Sequence, residues 1–174
     1  PIIEILLERA ATTTEDVMVG YTHVQHAQPI SVAYWLSHYA AVMLRDLDRL
    51  KAAYDLTDQN PLGTGALAGT SFPIDRNLTT SLLGFQRVHE HGLDATSARD
   101  FMLEVLSASA IFMTTASRLA EEFIFWSSAE FGTLTLDDGF AMGSSMMPQK
   151  KNPGTMELLR GRAGRVDGLL MAGL

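Results

Sequence analysis

The chain has 174 residues, of which 47% are apolar, 19% are charged and none is cysteine. This length is enough for one domain with a real core, and the lack of cysteine excludes disulfides and thiolate metal ligands. Thirteen basic against twenty acidic residues give a net charge of −7, which argues against a nucleic-acid partner. No apolar run reaches the roughly 18–20 residues that cross a bilayer, so we expect no membrane partner. The opening residues do not resemble a signal peptide and cysteine is absent, which is compatible with the cytoplasmic location that we expect.

Hydrophobic periodicity predicts a helix-rich chain without a convincing strand. The first helix is predicted over 1–11, whereas residues 19–30 are too polar for a core element and are predicted to be a loop. Ser31 is a suitable N-cap for a long second helix. A glycine-rich loop is predicted at 60–73, and a shorter helix at about 75–84.

The longest predicted helix runs from about Ser97 to Glu130, a rod of roughly 50 Å at 1.5 Å per residue. An irregular stretch over 132–152 then leads into a last helix after Pro153. The long helix carries two apolar stripes, so two or more neighbouring helices must cover it. The fold class is therefore all-α, a long-helix bundle. We expect 1–174 to be one segment of a larger domain, completed by the rest of the parent chain or by other subunits.

The segment 143–153, GSSMMPQKKNP, is the strongest candidate for a functional site. It runs into a helix start at about Pro153, where free backbone N–H groups and the positive end of the helix dipole gather. With Lys150, Lys151 and Asn152 added, the loop is suited to binding a carboxylate or a phosphate. The same positive field would stabilise an alkoxide on Ser144 or Ser145. The alternative is a solvated, flexible loop between two helices.

A second polar cluster lies in the segment 22–29, THVQHAQP. A histidine, two glutamines and a threonine within one interhelical loop suit a small polar ligand, and histidine is the natural general acid or base near neutral pH. Glu157 would raise the basicity of this histidine if the two met in space. The alternative is a helix-capping turn with exposed polar groups.

Two further patterns carry little functional weight. Residues 61–70 are rich in glycine but lack the Lys-Ser/Thr of a P-loop and a preceding strand, so close packing between helices is the expected cause. The pairs His23/His26 and His89/His91 have no acidic ligands at metal-binding spacing, so no metal site is expected.

Four segments taken together resemble the argininosuccinate lyase family of the fumarase/aspartase superfamily. They are GYTHVQHAQPIS at 20–31, PLGTGALAGTSFPIDR at 61–76, LDATSARDF at 93–101 and GSSMMPQKKNP at 143–153. The resemblance covers essentially the whole chain, and Gln-Lys-Lys-Asn at 149–152 favours this family over fumarase, aspartase and adenylosuccinate lyase. It implies the central helical-bundle domain of the family, with the N-terminal and C-terminal parts of the parent absent.

The resemblance also implies a reaction, the reversible β-elimination of argininosuccinate to arginine and fumarate in arginine biosynthesis. No metal or organic cofactor is implied. Ser144 matches the base that removes the Cβ proton. His23, paired with Glu157, matches the histidine that is assigned to protonating the leaving nitrogen or to charge balance.

Binding residues and assembly are implied in the same way. Lys150 and Asn152 match residues that hold the substrate carboxylate and stabilise the aci-carboxylate intermediate. Thr22 and Gln28 match residues that contact or position the substrate. The family assembles as a homotetramer in which each active site takes regions from three subunits.

Two other functions remain open beside this one. Relatives of these enzymes serve as structural lens crystallins, some without activity, and sister lyases act on adenylosuccinate or fumarate. The family's first shared region and a later substrate-binding loop would lie outside residues 1–174. We therefore expect the segment alone to be inactive.

Overall fold

Four long helices in a row, each packed on the next, organise the computed structural model, which describes all residues 1–174. They are Ile2–Ala11 (α1), Val32–Thr57 (α2), Asp100–Trp126 (α5) and Gly154–Gly173 (α6), and two short helices are Arg76–Leu83 (α3) and Gly92–Ser97 (α4). Val17–Thr22 (β1) and Gln25–Ser31 (β2) form an antiparallel hairpin, and Gln59–Asn60 (β3) pairs in parallel with Arg87–Val88 (β4).

Consecutive long helices run in opposite directions. Trp35, near the start of α2, stacks on Phe123, near the end of α5, with ring centroids 5.5 Å apart. Gly173, at the end of α6, lies against Leu103, near the start of α5. The β1–β2 hairpin and the loop before α6 therefore lie at the same end of the bundle, and the segment 58–99 lies at the other.

The buried core is small for a chain of this length, since 22 of 174 residues are buried. Its main cluster joins α1, α2 and α5 and consists of Leu6, Ala10, Leu36, Tyr39, Ala40, Met43 and Leu119. Large apolar side chains stay exposed on all four long helices, among them Ile5, Tyr34, Ile111 and Met171. The segment therefore leaves much of the apolar faces of its helices exposed, and such faces are typical of surfaces that bind a partner.

The predicted all-α class and most helix boundaries are confirmed. The Ser31 hydroxyl caps α2 by accepting a hydrogen bond from the backbone N–H of Tyr34 at 3.1 Å. Asp75 caps α3 in the same way, through the N–H groups of Asn77 and Leu78. The last helix begins directly after Pro153, which takes the N-cap position. The two side-chain caps act through hydrogen bonds to N–H groups two or three residues away, which makes them readable from sequence.

The prediction of a loop at 19–30 was wrong, because residues 17–31 form the β1–β2 hairpin. Its inward positions are only partly buried and include Gly20, so the apolar alternation that marks a strand is weak. Pro29 is tolerated because it lies in a two-stranded sheet whose outer edge has no partner strand.

Two other expectations also need correction. The longest helix is Asp100–Trp126, 27 residues, because the chain turns at Arg99 between α4 and α5 and leaves the helix after Trp126. The glycines of 61–70 serve turns rather than helix packing, since Gly63, Gly65 and Gly69 all have positive φ.

Candidate active site

The tip of the β1–β2 hairpin is a two-residue turn made by His23 and Val24. Their φ angles are +54° and +60°, and they are the only residues other than glycine with positive φ. A turn with positive φ at both central positions has the twist that a tight hairpin requires, but it favours Asn-Gly over His-Val. A left-handed conformation costs about 1–2 kcal/mol for each residue with a Cβ atom. The turn that presents His23 is therefore strained.

A β-bulge in the same hairpin shapes the position of Gln28. The strand register shifts between Val19 and Tyr21, so that Ala27 and Gln28 on β2 both lie opposite Gly20 on β1. A Cβ atom at Gly20 would lie 2.6 Å from the backbone oxygen of Gln28, which leaves room for glycine only. Bulges commonly redirect a side chain next to a functional site.

Aromatic contacts hold the hairpin on the bundle. The Tyr21 ring lies 5.1 Å from Trp126, at the end of α5, and 5.2 Å from Phe131. It also makes an edge contact with His26 at 5.3 Å. Tilted and edge-on aromatic pairs of this kind add to the burial of apolar area. Tyr21 therefore fixes β1 beside the C-terminal end of α5.

A cavity of about 500 Å³ lies between the hairpin and α5. Thr22 and Gln28, two of the predicted substrate-binding residues, both line it, and so does Val24. His23, between Thr22 and Val24, does not line the cavity and is exposed. Aliphatic residues of the hairpin also line it, and the wall on the bundle side is mostly aromatic and charged, with Trp35, Arg118, Glu121, Glu122, Phe125, Trp126 and Phe131.

Two consecutive glutamates of α5, both in the wall of this cavity, connect α5 to two different helices. Glu122 accepts a hydrogen bond from the indole N–H of Trp35 on α2, and Glu121 forms an ion pair with Arg160 on α6. The pKa of Tyr39, a fully buried residue of α2, is raised by its burial and by the negative charge of Glu122. The sequence analysis missed this network, because its members lie far apart in the chain.

The predicted loop before α6 is closed at its base by a pair of backbone hydrogen bonds. The N–H of Met142 donates to the carbonyl of Asn152 at 2.9 Å, and the N–H of Asn152 donates to the carbonyl of Met142 at 2.8 Å. The side-chain amide of Asn152 donates to the same carbonyl of Met142 at 3.0 Å. We call residues 143–151, between these two ends, the serine loop.

Ser144 lies near the start of the serine loop and is only partly exposed. Its hydroxyl oxygen accepts hydrogen bonds from the backbone N–H groups of Met147 at 3.1 Å and Met146 at 3.3 Å. A hydroxyl has two acceptor positions and one proton to give. Donors that already point at the oxygen favour its anionic form, so the geometry suits an alkoxide at Ser144.

The two lysines of the loop have different partners. The Lys150 ammonium donates to the side-chain oxygen of Asn152. The Lys151 ammonium contacts the Asp138 carboxylate at 2.6 Å and donates to the carbonyl of Leu136 at 2.8 Å. The hydrogen bond and charge of Lys151 lower the pKa of Asp138. The sequence analysis assigned Lys151 to the anion site, but in the structure its ammonium joins the serine loop to the segment before it.

The structure brings some of the predicted site residues together and leaves others apart. Ser144, Lys150 and Asn152 share one loop at the start of α6, and the hairpin lies at the same end of the bundle. His23 and Glu157 are both exposed and make no side-chain hydrogen bond or ion pair, so their predicted pairing is not formed within this chain. No group of three histidine or acidic side chains is placed to hold a metal ion. None of the helices has the length and apolar character needed to cross a membrane.

Comparison with known proteins agrees with the resemblance seen in the sequence. A family model described as lyase matches residues 1–168. The argininosuccinate lyase of Limosilactobacillus fermentum is 54% identical over 168 residues, which are 97% of this chain and 36% of that protein. The argininosuccinate lyase of Moorella thermoacetica is 52% identical over the same share of both chains. The chain therefore spans little more than a third of the length of these relatives.

Solved structures share the same fold. The crystal structure of EDDS lyase in complex with formate superposes with a TM-score of 0.95 at 36% identity, over 98% of this chain and 34% of that one. A class II fumarase from Schistosoma mansoni superposes with a TM-score of 0.81 at 22% identity, over 98% of this chain and 40% of that one, a likeness of fold alone. With its matched residues 1–168 and this shared helical bundle, the chain belongs to the lyase family.

Proposed function

We propose that the chain is the central segment of an argininosuccinate lyase, which splits argininosuccinate reversibly into arginine and fumarate. The observation that carries the proposal is the serine loop. It holds Ser144 under two backbone N–H donors and places Lys150 beside the N-terminus of a long helix. The identity of 54% to a curated argininosuccinate lyase supports this substrate over those of the sister enzymes.

The first step of the proposed reaction is removal of a proton from carbon. Ser144, as the alkoxide, takes the proton from the substrate Cβ next to a carboxylate. The electron pair left behind moves into that carboxylate and forms a dianionic aci-carboxylate. Cations and N–H donors already in place stabilise such developing charge most effectively. We assign the stabilisation of this charge to Lys150 and to the N-terminus of α6. The Asn152 amide joins them once it has exchanged its contacts within the loop.

The second step breaks the carbon–nitrogen bond. The electron pair returns to form the carbon–carbon double bond of fumarate, and the nitrogen leaves as part of arginine. His23, oriented by Glu157, donates a proton to that nitrogen or balances its charge. Since His23 and Glu157 do not meet within one chain, we assign their pairing to two different copies of the protein. Thr22 and Gln28 position the substrate from the hairpin side.

A homotetramer with active sites shared between subunits completes the proposal. The exposed apolar faces of the four long helices provide the surface that such an assembly would bury. A cytoplasmic location and a role in arginine biosynthesis belong to the same proposal. The segment 1–174 alone is expected to release no fumarate, because each site would need regions from three subunits and from the rest of the parent chain.

The test is fumarate release by the full-length protein on a panel of substrates. Argininosuccinate, adenylosuccinate, malate and EDDS are each supplied, and fumarate is followed by its ultraviolet absorbance. We expect turnover with argininosuccinate to exceed that with the others by orders of magnitude. Preference for adenylosuccinate or malate would assign a sister lyase. No turnover of any substrate by a folded oligomer would favour a structural, crystallin-like relative.

A further inference from the structure

The strained turn at the tip of the β1–β2 hairpin has no role in the proposed reaction as described so far. Val24 has a φ of +60°, a conformation that a β-branched side chain rarely adopts. It directly follows His23, whose own φ is +54°. Strained backbone of this kind persists only where the surrounding structure holds it, and it is concentrated at functional sites.

The surroundings of Val24 hold the turn from both sides. Thr22 and Gln25 pair across it as the last register pair of the hairpin. Below the turn, Tyr21 is packed against Trp126 at 5.1 Å. Val24 itself lines the cavity between the hairpin and α5, whereas His23 does not. The Val24 side chain is 59% exposed, but it borders the cavity on the side of the turn nearer the bundle, whereas His23 lies outside the cavity.

We propose that Val24 is a positioning residue, which holds His23 in the one orientation from which it can act on a substrate bound in another copy. This inference rests on the proposed function. The β-branched side chain of Val24 is stiff at χ1, so while the hairpin holds the left-handed conformation it leaves the turn fewer alternative shapes than glycine would. Glycine would relieve the strain but would also admit many other conformations.

Asparagine separates these two effects, because it accepts the left-handed conformation with less strain than valine and keeps a side chain on the inner face. The test therefore compares Val24→Gly with Val24→Asn in the full-length protein. Val17→Gly is the matched control: it makes the same change in the same hairpin, at the end far from the turn, where Val17 is 76% exposed.

Three quantities are measured for each variant: kcat and KM with argininosuccinate, and the thermal unfolding temperature. We expect Val24→Gly to unfold at or above the wild-type temperature, since strain is relieved, while kcat falls about tenfold to a hundredfold through misplacement of His23. Its KM should change much less than its kcat. Val24→Asn should match or exceed the wild-type unfolding temperature and restore most of the kcat. Val17→Gly should leave kcat unchanged.

The outcomes separate this inference from the proposed function. A wild-type protein that releases no fumarate from argininosuccinate rejects the proposed function, and this role of Val24 with it. An active wild type whose Val24→Gly variant keeps the full kcat overturns the inference alone. The inference is also overturned if both Val24 variants lose kcat only in proportion to a lower unfolding temperature, because the turn would then be a structural connector.

Discussion

Met142 and Asn152 exchange two backbone hydrogen bonds, of 2.9 and 2.8 Å, and so join the two ends of the serine loop. Ser144 lies two residues after the first end and Lys150 two residues before the second. Ser144 and Lys150, the two groups assigned to the reaction, are therefore both close to the hydrogen-bonded ends of the loop, whereas the tip of the loop is exposed. We therefore expect the tip to change shape around a substrate while these two groups stay in place.

The tie between Lys151 and Asp138 is expected to support this arrangement. Lys151→Met removes the contacts to Asp138 and to the Leu136 carbonyl, and Asp138→Asn removes the charge of one partner. We expect each variant to lower kcat in the full-length protein. The double variant should have a kcat no lower than that of Lys151→Met alone, since both changes break the same ion pair. Additive losses of kcat would show that the two residues act separately.

The ion pair between Lys151 and Asp138 is expected to weaken at low pH. The pKa of Asp138 is lowered in the folded chain by Lys151, so the tie is complete above the ordinary pKa of 3.8 and is lost as the pH falls through the lowered value. Nuclear magnetic resonance titration of the Asp138 carboxyl should show a midpoint that rises toward its ordinary value in Lys151→Met. An unchanged midpoint would mean that the ion pair is not formed in solution.

Gly20 is expected to be required for the hairpin bulge. In Gly20→Ala the new Cβ would meet the backbone oxygen of Gln28 at 2.6 Å, so one of the two strands would have to shift. We expect a loss of about 1–3 kcal/mol in stability together with a lower kcat. Gly84→Ala is the control, since Gly84 has a φ of +78° but open space around it. It should lower stability through strain while leaving kcat unchanged.

The hydrogen bond from Trp35 to Glu122 is expected to stabilise the contact between α2 and α5. Trp35→Phe removes the donor and leaves the carboxylate without it, which should lower stability by about 1–3 kcal/mol. Trp126→Phe is the matched control, because the indole N–H of Trp126 is buried without an acceptor. Urea midpoints of the full-length variants test this. A loss for Trp126→Phe as large as that for Trp35→Phe would count against the hydrogen bond.

The buried hydroxyl of Tyr39 is expected to make the folded protein less stable at alkaline pH. Its pKa is raised by burial and by Glu122, so the neutral hydroxyl is favoured in the folded chain. Its contribution is fully present below the ordinary pKa of 10.0 and decreases as the pH rises above it. Tyr39→Phe should therefore lose less stability than the wild type in urea melts above about pH 10. Tyr54→Phe, at a tyrosine that is 66% exposed, should behave as the wild type does.

Much of the bundle could be predicted because its rules are local. Apolar spacing predicts the long helices, Ser31 and Asp75 cap helices through neighbouring N–H groups, and Pro153 precedes the last helix. The serine loop was located by its lysines, its asparagine and the helix start beside them. In each case the residues that decide the structure lie within a few positions of one another.

The features that the sequence analysis missed depend on contacts between residues far apart in the chain, or on residues that locally disfavour the conformation they adopt. The hairpin lacks both a clear apolar alternation and an Asn-Gly turn, and its His23–Val24 turn opposes local preference. The bond from Trp35 to Glu122 joins residues 87 positions apart. The ion pair of Lys151 with Asp138 joins the serine loop to the segment before it, and no local pattern indicates that pairing. Tertiary packing decides such features, and a single sequence contains no local pattern for them.

The most direct test of the account is fumarate release from argininosuccinate by full-length Ser144→Ala, with Ser145→Ala as the neighbouring control. If Ser144 is the base, its variant should bind argininosuccinate and lose turnover by roughly 10²–10⁴-fold, the range for a lost acid or base group. Ser145→Ala should keep most of the wild-type rate. Turnover by Ser144→Ala at the wild-type rate would contradict the assignment of the serine loop as the site of proton removal.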